Sequence, residues 1–201
     1  MSEGGAVDLE VRAELAAGRV GPAVHALVQG LGPEIYGFLC ATLRDDDAAG
    51  DVFGMWSEDV LRGLATFRGD ASLRTWSYAL ARHAAARWRR DPLRRRGVRA
   101  DDASAVGQLV HELRSRTSVW RRTEVKDRVR ALRDALEVEE QELLILRVDR
   151  AMEWDEVARA LLDEGEEASE AAVKKKSAAA RKRFERIKEK LKALAAKPQG
   201  G

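Results

Sequence analysis

Apolar side chains recur every three to four residues along most of this chain, and only an α-helix places such a repeat on one face. The first clear example is Val24, Leu27, Val28 and Leu31, which fall at i, i+3, i+4 and i+7. Alanine, leucine, arginine and glutamate, all strong helix formers, dominate the 201 residues, and only four prolines interrupt them. The sequence therefore predicts an all-α protein.

Turn-forming residues predict where the helices end. Pro33 is expected to end one helix and to start the next, because proline lacks the amide hydrogen that a helix interior needs. The polar run 44–47, one arginine and three aspartates, is read as a connection that caps the following helix. Gly69 supplies a turn, after which Ser72 or Asp70 can cap a helix that runs from about residue 73 to 90.

The periodic pattern weakens in the middle of the chain. From 93 to 123 arginines and small polar residues prevail, with a short helical pattern at 106–116. Periodicity then resumes, and a long final helix is expected at about 169–195. We therefore predict two small helical domains, 8–92 and 124–196, joined by a flexible linker at 93–123.

Several classes of protein are disfavoured by composition. A lone cysteine, Cys40, can form neither an internal disulfide nor a cysteine-based zinc site. There is no apolar run long enough for a transmembrane helix, and the N-terminus lacks the features of a signal peptide, so we expect a cytoplasmic protein without membrane insertion. No catalytic constellation, metal site or cofactor motif is evident. The acidic residues that follow Arg44 are better explained as a solvated helix start than as a cation site: Asp45, Asp46, Asp47 and Asp51.

Positive charge is concentrated in two blocks, although the net charge is only +2. The segment 72–99 contains nine arginines and one aspartate, and the segment 173–197 contains eleven lysines or arginines and two glutamates. One basic block in each domain predicts two contacts with a long polyanion. The alternative is that these side chains merely solvate helix surfaces.

Helical phase assigns faces to both basic helices. In the helix at 73–90, Trp76 is expected in a core stripe with Leu73, Leu80 and Ala84, whereas a cationic stripe with one aromatic lies opposite: Arg74, Tyr78, Arg82 and Arg89. In the last helix, the core stripe is Val173, Ala180, Phe184, Ile187, Leu191 and Leu194. Its basic face has small residues between the cations, which suits close approach to a DNA groove: Lys175, Ala178, Ala179, Lys182 and Arg186. A coiled-coil or bundle helix remains the alternative.

Two stretches carry a resemblance to a known family. FRGDASLRTWSYALARHAAARWRR, residues 67–90, resembles the region 2.3–2.4 signature of extracytoplasmic-function sigma factors of the sigma-70 family. MEWDEVARALL, residues 152–162, followed by SEAAVKKKSAAARKRF, residues 169–184, resembles the helix-turn-helix of region 4.2. The resemblance covers both predicted domains but not the linker.

The resemblance implies a promoter-specificity subunit that works with core RNA polymerase and promoter DNA, with an anti-sigma factor as a further possible partner and no cofactor. The first domain would open and read the −10 element through Arg68, Asp70, Ser72, Arg74, Tyr78, Arg82 and Arg89. The second would read the −35 element through Lys174, Lys175, Ala178, Lys182 and Arg186. The region that contacts core polymerase would include Asp51, Met55, Glu58 and Asp59.

The chain departs from the family pattern in three places. Residues 47–60 read DAAGDVFGMWSEDV where the family has DAEDLVQETF, His83 replaces an asparagine, and about five extra residues separate the two helices of the helix-turn-helix. Two other interpretations therefore stay open. One is a helix-turn-helix regulator that binds DNA without polymerase, and the other is a degenerate sigma-like protein that binds polymerase or an anti-sigma factor without initiating transcription.

Overall fold

The computed structural model describes residues 3–91, 108–113 and 135–196, and every regular element within these ranges is helical. The prediction of an all-α protein is therefore confirmed. The chain divides into two compact units, Met1–Arg116 and Thr117–Gly201. Most of the predicted linker 93–123 lies outside the described residues, as does the helical spacing predicted at 125–132, so the predicted domain limits stay predictions.

Residues 3–91 of the first unit form four helices and a short 3-10 turn. In chain order they are α1 (Glu3–Ala16), α2 (Val20–Leu43), α3 (Asp46–Gly63), the 3-10 turn Leu64–Thr66, and α4 (Leu73–Arg90). Helix α2 packs against α1, α3 and α4 and is therefore the central element. Residues 108–113 are also helical, and their apolar side chains are buried.

Edge-to-face aromatic pairs fix the helices of the first unit against one another. Tyr36 and Phe53 join α2 to α3 with ring centroids 5.8 Å apart, and Phe38 and Tyr78 join α2 to α4 at 5.2 Å. The buried indole of Trp56 donates a hydrogen bond of 3.2 Å from α3 to a carbonyl oxygen of α4. Such pairs add to the free energy of simple apolar burial.

Helix α2 continues through Pro33, so the expected break there is wrong. A proline in a helix interior costs about 3 kcal/mol because it removes a hydrogen bond and crowds the preceding turn. Here Leu31, Ile35 and Tyr36 flank the exposed Pro33 and are all buried. Burial of large apolar side chains, each contributing about 1.5–3 kcal/mol, outweighs the local cost.

Helices α1 and α2 approach closely at Gly30. A Cβ atom at this position would overlap the side chain of Val7. The contact therefore depends on the missing side chain of the glycine, which lets α1 lie directly on α2.

The described residues of the second unit, 135–196, form three α-helices. They are α5 (Val138–Leu144), continued by a π-helical turn at Ile145–Asp149, then α6 (Trp154–Ala160) and α7 (Glu170–Ala196). Helices α5 and α6 each begin with a capping box, formed by Glu137 with Glu140 and by Glu153 with Glu156. Helix α7 packs on both α5 and α6. The long final helix expected at 169–195 is confirmed.

Candidate nucleic-acid interface

The turn between α3 and α4 presents two charged side chains to solvent. Gly69 has a φ of +80°, a conformation that favours glycine because it lacks a Cβ. Arg68 and Asp70 on either side of it are exposed. Ser72 caps α4, because its hydroxyl oxygen accepts a 3.1 Å hydrogen bond from the backbone N–H of Thr75. The structure thus selects Ser72 over Asp70 as the cap and leaves Arg68 and Asp70 at the surface.

The face assigned to α4 from its phase is rotated relative to the observed one. Tyr78 is fully buried, whereas Trp76 is only half-buried and packs against Phe67 at 5.3 Å between ring centroids. The prediction that Tyr78 lies on an exposed stripe is therefore wrong. The buried face of α4 consists of alanines, hydroxyl-bearing residues and one leucine: Leu73, Thr75, Ser77, Tyr78, Ala81, Ala84 and Ala85.

Arg74 lies against α2 instead of pointing freely into solvent. Its Nε donates a 2.8 Å hydrogen bond to Oε1 of Glu34, and the Tyr78 hydroxyl donates to the same oxygen at 2.7 Å. The guanidinium also lies over the Tyr78 ring, 5.9 Å from its centroid. The Arg74 side chain is thus held in an ion pair within the unit, and its predicted contact with DNA stays a prediction.

The other predicted cations of α4 are half-buried: Arg82 and Arg89. Arg87, which the phase argument did not select, forms an ion pair with Asp59 of α3. Arg90, at the C-terminal end of α4, is exposed. The basic block is therefore divided between bonds that hold α4 to its neighbours and side chains that reach solvent.

Helix α7 has the two faces that its spacing predicts. Val173, Ala180 and Ile187 are buried, and Phe184, Leu191 and Leu194 are partly buried. The residues proposed to read DNA are all exposed: Lys174, Lys175, Ala178, Lys182 and Arg186. The assignment of faces is confirmed, and the opposite side of α7 is open to a ligand.

The exposed cations of α7 differ in how they are paired. Lys174 lies 2.6 Å from the carboxylate of Glu170. Lys175, Lys182 and Arg186, by contrast, form no ion pair with any residue in the described part of the chain. Ala178 and Ala179 between them are exposed as well, so this surface combines unneutralised charge with small side chains.

An acidic turn joins α6 to α7. It spans residues 161–169, and its beginning is anchored by a small apolar cluster of Ala158, Leu162 and Val173. The amine of Lys176 lies 3.3 Å from Asp163 and 3.5 Å from Glu166. These two acids also line a groove with Lys175 and Ala179 of α7. The turn therefore places negative charge directly beside the basic helix.

Trp154, at the start of α6, is surrounded by cations. The guanidinium carbons of Arg147 and Arg181 lie 5.0 Å and 5.6 Å from its ring centroid, and Phe184 packs against it at 5.6 Å. Cation–π attraction of this kind positions arginine side chains without neutralising their charge. Helical periodicity alone did not predict a role for Arg147 or Arg181.

The residues predicted to contact polymerase are only partly available. Met55 is buried, so its predicted place on a docking surface is wrong. Asp51 is half-buried, and Asp59 bonds both Arg62, at 3.1 Å, and Arg87. Glu58 is exposed and pairs with Arg62 at 2.6 Å. One turn further along α3, Leu61 is 57% exposed, an unusual position for a leucine that its helical spacing alone did not reveal.

One carboxylate of the second unit, that of Glu140, has a lowered pKa. Burial of Glu140 favours its neutral form, but hydrogen bonds from Lys190 and from the Glu137 backbone, with the nearby positive charge of Lys190 and Arg183, lower its pKa overall. The Lys190 amine lies 2.8 Å from Glu140, which ties α7 to α5. This ion pair therefore supports the position of the basic helix.

Two kinds of feature are missing from the ranges 3–91, 108–113 and 135–196. No group of three or more histidine, cysteine, aspartate or glutamate side chains there could hold a metal ion. None of the helices there is both long and apolar enough to cross a membrane.

Comparison with known proteins shows similarity to a bacterial sigma factor. No family model matches the chain, and no solved structure matches it significantly. The chain is similar to a bacterial transcription factor of the sigma class, with 27% identity over 128 residues, which are 64% of this chain and 73% of the other. That relative is RNA polymerase sigma factor YlaC of Bacillus subtilis (strain 168). The similarity confirms the resemblance to extracytoplasmic-function sigma factors and supports a sigma-like role in transcription.

Proposed function

We propose that this protein is a sigma factor that brings core RNA polymerase to promoters and starts transcription there, in the cytoplasm. The observation that carries the proposal is the exposed face of α7, where Lys175, Lys182 and Arg186 form no ion pair within the described residues and lie beside two alanines. Unneutralised cations bind phosphates and release counterions, and small side chains allow a helix to enter the major groove. On this proposal, α6 and α7 act as a helix-turn-helix that reads the −35 element.

The first unit has a separate part in the proposal. The turn at 68–72 offers the guanidinium of Arg68 and the carboxylate of Asp70 to a base that leaves the double helix. Arg82, Arg89 and Arg90 would contact the flanking phosphates. Arg74, Tyr78 and Ser72, by contrast, hold the turn and α4 in place. The −10 element is then read by a short rigid turn on a helical support.

The polymerase would be bound by the outer face of α3. Glu58 and Leu61 are exposed there, one turn apart, and Asp51 and Asp59 lie nearby on the same helix. A leucine beside a carboxylate provides apolar contact area together with a charge that fixes orientation. We take this patch of Glu58 and Leu61 as the centre of the docking surface.

Run-off transcription tests the proposal. Purified core polymerase of the source organism is combined with the protein and fragmented genomic DNA, and products are mapped. Defined start sites that need both the protein and the core are the expected result. Binding of duplex DNA by the protein alone, with no start sites, would instead support a polymerase-independent regulator, and binding to core without transcription would support a sigma-like interaction protein.

Charge variants of α7 provide the matched comparison. Changing Lys182 and Arg186 to glutamine should abolish promoter-dependent product. The control changes Lys188 and Lys192 to glutamine, because these cations lie on the same helix but are paired with Glu185 and Glu189. Equal loss of transcription in both variants would mean that general charge, and not this face of α7, is what matters.

A further inference from the structure

Helix α1 reaches the turn that precedes α4. The carboxylate of Asp8 accepts a 3.3 Å hydrogen bond from the backbone N–H of Leu73, the first residue of α4, and a 2.6 Å hydrogen bond from Nε of Arg12. Ser72 satisfies the N–H of Thr75 at the same helix end. One residue of α1 thus caps α4 from outside and at the same time holds an arginine beside the cap.

Arg12 is fixed at one end and open at the other. Its Nε is bonded to Asp8, and its Nη1 lies 3.7 Å from the position that a Cβ of Gly69 would occupy. The side chain is 51% exposed, and its Nη atoms donate no hydrogen bond to any residue that the structure describes. The open edge of the guanidinium therefore lies against the turn at 68–72.

We propose that Arg12 is a further DNA-contacting residue, which binds a backbone phosphate of the strand whose base enters the turn at 68–72. This rests on the proposed function of the turn. Two Nη donors on one planar group match the spacing of two phosphate oxygens, and the bond to Asp8 holds this group in place before DNA arrives. Arg68, the residue before Gly69 in the sequence, is also exposed, so the turn carries a second guanidinium group.

Gly69 keeps the approach to Arg12 open. Its positive φ favours glycine, and a Cβ atom here would lie in van der Waals contact with Nη1 of Arg12, at 3.7 Å. Asp70, whose carboxylate is exposed, follows Gly69 in the sequence, so the proposed phosphate contact and base contact belong to neighbouring residues of one turn. Neither helical periodicity nor charge blocks could reveal this, because Arg12 lies in a separate helix about sixty residues earlier in the sequence.

The test uses holoenzyme and a forked promoter fragment whose −10 strand is single-stranded, taken from a start site mapped by run-off transcription. We compare the affinity of wild type, Arg12→Gln, Arg12→Lys and Arg19→Gln over a range of salt concentrations. Arg19 is the matched control, because it is similarly exposed and its Nε also bonds a carboxylate, that of Glu14, at 2.6 Å. Thermal melts monitored by circular dichroism check that all variants fold.

Arg12→Gln should weaken binding several-fold and reduce the slope of log affinity against log salt by about 0.7, the loss of one phosphate contact on a single strand. Arg12→Lys should keep the slope, and Arg19→Gln should match wild type. An Arg12→Gln variant with an unchanged slope overturns the proposal, whether or not its affinity falls, because the side chain would then only position the turn. If the sigma assignment itself were wrong, wild-type protein would not bind the fork with core at all.

Discussion

The hydroxyl of Tyr78 donates a 2.7 Å hydrogen bond to the carboxylate of Glu34, across the contact between α4 and α2. Arg74 donates to the same carboxylate oxygen, so the half-buried Glu34 binds both an aromatic and a cationic side chain of α4. The helix that carries the turn at 68–72 is therefore fixed to the central helix of its unit by polar as well as apolar contacts.

Tyr78 should matter more for stability than Trp76. Tyr78→Ala should lower the free energy of unfolding by about 3–5 kcal/mol, because a fully buried aromatic is lost together with its hydrogen bond. Trp76→Ala should cost about half of that, since the ring is only half-buried. Urea denaturation followed by circular dichroism measures both. A larger loss for Trp76→Ala would contradict the observed orientation of α4.

Leu61→Asp should weaken binding to core polymerase about tenfold. Burying a leucine in an interface contributes about 1.5 kcal/mol or more, and that energy corresponds to a factor of about ten in affinity. Leu9→Asp is the control, because Leu9 is another strongly exposed leucine of the first unit and lies on α1 instead of α3. Fluorescence titration of labelled protein with core measures the affinity. Equal effects of the two changes would remove α3 as the docking helix.

Neutralising the acidic turn should strengthen DNA binding by the second unit. The double change Asp163→Asn and Glu166→Gln releases Lys176 and removes two like charges near the phosphates, so duplex affinity should rise and the salt slope should steepen by about 0.9. The double change Glu164→Gln and Glu167→Gln removes the same charge from the same turn without touching Lys176. Titration of full-length protein with promoter DNA compares them, and identical slopes would show that Lys176 does not reach DNA.

Stability of the second unit should depend on pH through Glu140. Its pKa is lowered in the folded protein, so its contribution is complete above the unfolded value of 4.5 and is lost as the pH falls through the lower folded value. Glu140→Gln should therefore reduce the melting temperature at pH 7, and the difference from wild type should shrink below pH 4.5. Thermal melts between pH 3 and pH 7 provide the measurement. A constant difference across that range would mean that the charge of Glu140 is not involved.

The faces of the two basic helices were predictable to different degrees, for a physical reason. Helix α7 buries Val173, Ala180 and Ile187 and exposes mostly charged residues, so its apolar stripe is a reliable guide. Helix α4 instead buries Thr75 and Ser77, which carry no hydrophobic signal. A phase set by Trp76, the largest apolar residue, is then only partly right. Leu73 and Ala84 are buried as predicted, but the half-buried Trp76 lies at the border of the core and Tyr78 lies inside it.

Other features depended on contacts between segments that are distant in the chain. The pairing of Arg74 with Glu34 and the position of Arg12 beside Gly69 each join different helices, and no local pattern reports such partners. Met55 was placed on the docking surface because it replaced a polar family residue, yet a methionine within an apolar helix face is ordinarily buried. Pro33 looks like a helix boundary in the sequence, because the tertiary packing on both sides of it has no local signal.

The close contact between Gly30 and Val7 links the proposed DNA contact to a residue that is remote from it in the sequence. Any side chain at Gly30 would push α1 away from α2, and α1 carries both Asp8 and Arg12. The position of the guanidinium at the turn therefore depends on the crossing of α1 and α2 at Gly30 and Val7. Because Gly30 has a hydrogen atom where other residues have a Cβ, α1 stays close to α2 and Arg12 stays beside the turn at 68–72.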